Sequence, residues 1–186
     1  MNVIANAPVY DARAVKEVLR TEHTEDQLAA FGRPPDALPG FITFFDPGLS
    51  IVDLRAGVEI LSHHIFYPQT WYDTESFAKR KESPRYRQLQ MGVVKYSFGK
   101  PFAEQQTLVP PGMEIPTARV VLTAMAIHFL ATGERLFSDC YVRSVDQNSD
   151  GGRVVVGVFA SDGFDVSGYW DDDRGSDIGL ASSRKF

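Results

Sequence analysis

The chain has 186 residues, a formal net charge of -5, 44% hydrophobic residues and 12% aromatic residues. That is about one domain's length with enough apolar material for a core, so global disorder is excluded. The mildly acidic balance lacks the clustered positive charge that a nucleic-acid backbone requires, and a single cysteine, Cys140, excludes a disulfide scaffold or a Cys-rich zinc site.

The N-terminal stretch contains Asp11 and Arg13 and has no apolar segment of the secretory kind. Residues 8–31 read as one or two short helices, with Ala14, Val15, Val18 and Leu19 at helical spacing and a second segment from Thr24 to Phe31. Gly32 to Gly40, with three prolines and two glycines, cannot continue a helix. Residues 1–38 are therefore expected to be a helical segment or docking arm, packed on the body or on another copy in a homo-oligomer. Residues 39–186 are expected to form a single α+β domain.

Phe41 to Phe45 is a strand candidate, stopped by Asp46-Pro47-Gly48, and a second apolar stretch runs from Leu49 to Leu54. Ser83-Pro84 has the form of a helix start, with the helix running to about Met91. Val109-Pro110-Pro111-Gly112 is another break. Pro116 to Thr132 is apolar on most sides and is followed by Gly133, which marks a buried central helix with a left-handed stop. The longest apolar run, from Val120 to Leu130, is shorter than the ~20 residues of a membrane span. The expected compartment is cytoplasmic by default, or a virion or cell surface that carries the protein. Tyr141 to Val145, Arg153 to Ala160, Phe164 to Trp170 and Ile178 to Ser183 read as four strands separated by Asn/Asp/Ser/Gly turns. The expected fold class is α+β, a central buried helix followed by a C-terminal antiparallel meander.

The tail also uses a reduced alphabet. Residues 149–184 contain no Glu, Gln, Met or Lys, although at the frequency of the first 148 residues about six would fall there. The same stretch holds seven of the fifteen aspartates. Turns and small strands favour Asp, Gly, Ser and Val, which explains part of this. Randomising the adenines of an Asn codon that ends in a pyrimidine gives every amino acid except Gln, Glu, Lys, Met and Trp. Four of those five are missing here, and the stretch has one tryptophan, Trp170. Small polar, acidic and apolar residues at such positions make an adaptable contact surface.

The run Arg153 to Phe159, then Gly163-Phe164, Tyr169 to Asp172, Arg174, and Gly179 to Arg184 resembles the C-terminal variable region of target proteins of diversity-generating retroelements. The resemblance covers about residues 70–186. It implies a C-type-lectin-like display fold that binds a protein or glycan ligand without catalysis and without a cofactor. Where better-known members end in a Gly-Phe-Arg type strand, this chain has Gly179-Leu180-Ala181. The implied framework is Gly157, Phe159, Gly163, Phe164, Val166, Trp170, Arg174, Gly179 and Leu180. The implied ligand-binding positions are Val155, Val158, Ala160, Asp162, Asp165, Ser167, Gly168, Tyr169, Asp173, Gly175, Ser176 and Asp177. Strand alternation places Asp165, Ser167 and Tyr169 on one face and Phe164, Val166, Gly168 and Trp170 on the other, where Gly168 fits poorly as an outward position.

Other constellations are weaker. Asp146 to Gly151 matches the first half of a calcium loop, but the twelfth position is Gly157, which has no carboxylate, and a hairpin turn explains the same residues. His63 and His64 are adjacent and point apart on a strand, and His128 reads as a hydrogen-bonded core residue, so no metal site is expected. Nothing near Cys140 in sequence would activate its thiol. Lys79, Arg80, Lys81, Arg85 and Arg87 read as the wet face of two short helices. Two rival functions follow: a small enzyme using His63, His64, His128 and Asp139, or a structural subunit docked through residues 1–38.

Overall fold

A computed structural model describes residues 7–61 and 65–185. Val9–Tyr10 forms a two-residue strand, β1, and two helices follow, Ala12–Leu19 (α1) and Glu25–Ala30 (α2). Their starts are set by local chemistry: Asp11 accepts from the Ala14 N–H at 2.9 Å, and Thr24 and Gln27 satisfy each other's backbone donors in a capping box. Ala12, Val15 and Leu19 share one face of α1 and lie in the main core, so this segment packs on the body of its own chain. The Pro/Gly run after α2 is irregular and is tied down where the Asp36 carbonyl accepts from the Gln88 side chain at 2.8 Å.

Phe41–Asp46 (β2) is buried along almost its whole length. The apolar residues after Gly48 are helical rather than extended: Ile51–Ile60 forms α3, with Ser50 as its cap. The helix expected from Ser83-Pro84 to Met91 does not form, and those residues contain a strand, Arg85–Gln90 (β3), after the short helix Ser76–Lys79 (α4). The helical reading fails because polar residues here point inward. Arg87, Gln88 and Leu89 are consecutive and all buried, Arg87 bonded to Asp46 at 2.7 Å and Gln88 to Thr43 at 2.9 Å. Pro84 stands just before the strand, where its missing N–H costs no ladder bond.

Phe102–Gln106 (α5) and Met113–Glu114 (β4) precede the central helix, Ala118–Thr132 (α6). Thr117 caps it by accepting from the Val120 N–H, and Gly133 ends it at φ 77°. Every residue from Ala118 to His128 is buried, as expected of a helix that is apolar nearly all round. The tail supplies Tyr141–Gln147 (β5), Arg153–Ala160 (β6), Gly163–Tyr169 (β7), Ile178–Leu180 (β8) and Ser183–Arg184 (β9).

The fold is mixed α+β with two mixed sheets. One runs β1-β2-β3-β9-β4, with β1 parallel to β2; the other runs β7-β6-β5-β8. The expectation of a purely antiparallel meander is corrected here. β5, β6 and β7 do form one, but β8 is parallel to β5, and β9 leaves for the other sheet. The segment between β7 and β8 returns across the Arg143 face of the sheet, where Arg143 donates to the Trp170 and Asp173 carbonyls, which is the crossover that a parallel partner requires. Val142, Val154, Val156 and Val166 belong to the main core. The opposite face carries Arg143, Val155 and Ser167 in register, and part of it is covered by the segment around α5, where Val94, Phe102 and Leu180 form a second small cluster.

Candidate ligand-binding site

The outer corner of the tail sheet is concave. A cleft of about 350 Å³ is lined by Tyr67, Tyr141, Val158, Ala160, Asp162, Gly163 and Asp165. Three local devices build it. The first is a bulge: the register of β6 against β7 shifts between Gly157 and Ala160, and Val158 sits at φ +44°. The Val158 and Phe159 amides donate to the Cys140 and Phe137 carbonyls at 2.9 and 3.2 Å, which pins the bulge. A β-branched residue in this region is a strained one. The second device is Gly157, at φ +148°, where a Cβ would stand 2.1 Å from the Cys140 oxygen. The third is Gly163, where a Cβ would stand 2.4 Å from the Phe66 backbone. That close approach lets the chain around Phe66 pair with β7, Phe164 donating to Ile65 at 2.9 Å and accepting from Tyr67 at 3.0 Å. Tyr67 is thereby held at the rim, 43% exposed.

Tyr141 donates its phenol to Asp165, and its ring lies 5.9 Å from that of Tyr169. Burial, reinforced by Asp165, pushes the Tyr141 phenol well above its ordinary pKa, and burial together with Asp177 and Asp165 raises Tyr169 in the same direction. Among the described residues no Lys or Arg forms an ion pair with Asp162, Asp165 or Asp177. Arg135 reaches the rim only through the Ala160 carbonyl, at 3.1 Å, and stacks on Phe129 and Phe159. Cys140 lies beneath the bulge as a buried thiol, its pKa pushed up to about 11 by burial and by Asp139.

Of the twelve positions named from sequence, Val158, Ala160, Asp162 and Asp165 line the cleft, and Tyr169 adjoins it through Tyr141. Ser167 is half-buried and Gly168 exposed farther along β7. Asp173, Gly175, Ser176 and Asp177 lie on the crossing segment, where Asp173 also caps a turn by accepting from the Trp170 N–H at 2.9 Å. Val155 is corrected: it is completely buried, in register between Arg143 and Ser167, and so is not an outward position. Two framework assignments are also corrected. Trp170 is 57% exposed because β7 stops at Tyr169 and the strand alternation stops with it. Arg174 is exposed and meets Glu104 at 3.2 Å on the surface. Tyr67 and Tyr141 were not among the twelve. Tyr141 begins a strand and was legible as such, whereas Tyr67 reaches the cleft only through long-range pairing.

Elsewhere, polar groups are engaged in holding the fold. His128 is buried between the Tyr10 hydroxyl, at 2.9 Å, and Glu134, at 3.3 Å. His63 and His64 lie outside the described residues. Asp146 is also committed, accepting from Arg80 and from the first backbone N–H of α6, both at 2.8 Å, and Asn148 closes the hairpin turn onto Gly152. Among the described residues no group of His, Cys, Asp and Glu is arranged to hold a metal ion. The basic cluster is a wet helical face only in part: Lys79 is exposed at the end of α4 and Arg80, Lys81 and Arg85 are exposed beyond it, but no second helix forms there and Arg87 is buried in β3. Sequence reading missed the centre that Arg87 belongs to, in which Asp46 takes both Nη atoms of Arg119 at 2.7 Å while Glu82 accepts from Arg87 and Arg119. It also missed Arg143, fully buried and held by the carbonyls of Lys100, Trp170 and Asp173 and by Gln105.

No protein-family model matches this chain, and neither a curated protein nor a solved structure is found to be similar to it.

Proposed function

We propose that this chain is a non-catalytic binding protein that takes a protein or glycan ligand on the outer corner of its tail sheet. The recognition surface is formed by Tyr67, Tyr141, Val158, Ala160, Asp162, Asp165 and Tyr169. The observation that supports this reading is Val158. Strain of order 1–3 kcal/mol is retained where it aims a side chain or shapes a site, and here it opens a cleft beside two tyrosines. Rigid aromatic groups flanked by small and acidic residues suit recognition at low entropic cost.

The proposal includes the diversified tail that the sequence resembles, with its C-type-lectin-like arrangement. The exchangeable positions are then Val158, Ala160, Asp162, Asp165, Ser167, Gly168, Asp173, Gly175, Ser176 and Asp177, and Val155 is not one of them. Two experiments test it. A fragment library titrated into the ¹⁵N-labelled protein should shift amides clustered at Tyr141, Val158 and Asp162 to Asp165; shifts clustered elsewhere would overturn the site. Sequencing the neighbouring DNA should find a reverse transcriptase and a near-copy of the tail-coding bases that differs only at adenines; its absence would remove the diversification.

A further inference from the structure

The ligand's charge follows from how this molecule treats its carboxylates. The carboxylates that tie the fold together are met by arginines: Asp46 by Arg119 and Arg87, Asp146 by Arg80, and Asp171 by Arg153. The cleft is different. Asp162 and Asp165 line it, Asp177 adjoins it with its carbonyl accepting from the Tyr141 N–H at 2.9 Å, and none of the three carboxylates has a cationic partner among the described residues. We propose, building on the site assigned above, that this cleft recognises an organic cation, the ammonium or guanidinium head of a lysine or arginine side chain on a protein partner.

The walls support this independently of the acids. Tyr67 and Tyr141 line the cleft, and the face of an aromatic ring attracts a cation through its quadrupole, more strongly as water is excluded. The Tyr141 hydroxyl is turned onto Asp165, so the pair is fixed before any ligand arrives. It engages Oδ2 and leaves Oδ1 of Asp165 without a partner among the described residues. A cation entering the cleft therefore finds in its lining a carboxylate with an uncommitted oxygen. An anionic ligand would instead face unneutralised carboxylates on the cleft wall and beside it. The volume, about 350 Å³, admits the end of one long side chain and not a folded element.

The test titrates n-butylammonium, n-propylguanidinium, n-butanol and butyrate into the ¹⁵N-labelled full chain. The two cations should shift the Tyr141, Val158, Asp162 and Asp165 amides with an affinity about tenfold above that of n-butanol, and butyrate should not shift them. The preference should shrink in about 0.5 M sodium chloride, where screening lengths fall to a few Å. Asp165→Asn should weaken the cations about fivefold or more. Should that variant lose its fold, Asp162→Asn, at an exposed position with no ion-pair partner, gives the same test. If n-butanol binds this cleft as tightly as n-butylammonium, the charge preference is overturned and the site stands. If none of the four probes shifts these amides, both the preference and the site fall.

Discussion

Two charged regions of this molecule use the same side chains to opposite ends. Where β2, β3 and α6 meet, Asp46 is fully buried and accepts from Gly48, Arg87 and both Nη atoms of Arg119. Glu82 completes the centre, so two carboxylates face two guanidinium groups. At the cleft, by contrast, Asp162 and Asp165 stand at or near solvent without a cation. A buried ion pair adds little net stability over a good apolar contact, but removing one partner strands the other at high cost. The inner centre therefore fixes how β2, β3 and α6 meet, whereas the outer carboxylates are left free to interact with something else.

The sharpest way to break that contrast is Asp46→Ala. It should cost about 3–5 kcal/mol in urea unfolding, because two buried arginines lose their shared acceptor. A loss below about 1 kcal/mol would mean that the centre holds nothing together. Its pH dependence has a definite sign. Burial pushes the Asp46 carboxyl up, but the bonds and charge of Arg119 and the charge of Arg87 outweigh it, so the folded pKa is lowered. The contribution is complete above about pH 4 and is lost as pH falls through the lowered value, so acid unfolding of the native chain should be steeper there than that of Asp46→Ala.

The next largest effect separates two nominated contact residues. Val155→Asp places an unpaired carboxylate in a sealed site and should cost several kcal/mol, while Ala160→Asp, on the exposed rim, should stay within about 0.5 kcal/mol. Equal effects would erase the division between covered and open parts of the face. Val158→Gly should release strain and raise stability by up to about 1 kcal/mol while weakening ligand capture. If stability falls instead, the bulge is not a strained device. Tyr141→Phe should cost about 1 kcal/mol by removing the bond to Asp165. It should also remove the latest-titrating phenol from the alkaline ultraviolet profile. Because the Tyr141 pKa is raised, its contribution is complete below about pH 10 and lost as pH climbs toward the folded value.

Local signals carried the parts of the fold that local chemistry decides. Pro116, the apolar surround and Gly133 mark α6 to within two residues, and the Asn/Asp/Gly turns bound β6 and β7 to within a residue. Alternation along β7 placed Asp165 and Tyr169 on a partly open face. What the sequence hid was decided by segments far away in the chain. Nothing around Arg85 to Gln90 announces that Asp46, about forty residues earlier, will draw Arg87 inside and make a strand of an apparent helix. Val155 shares its face with the half-buried Ser167, yet it is completely buried beside Arg143. Arg119 looks like a lone Arg at the start of an apolar helix until Asp46 is placed opposite it.

β9 occupies an interior place in its sheet, between β3 and β4, although it follows both of them, and every other described strand, along the chain. Neither neighbour pairs with the other, so the flank of β3 stays open until residue 184 has left the ribosome. The N-terminal half is thus obliged to wait for a distant partner, and until that partner emerges the nascent chain carries an unpaired strand edge, a natural grip for a chaperone.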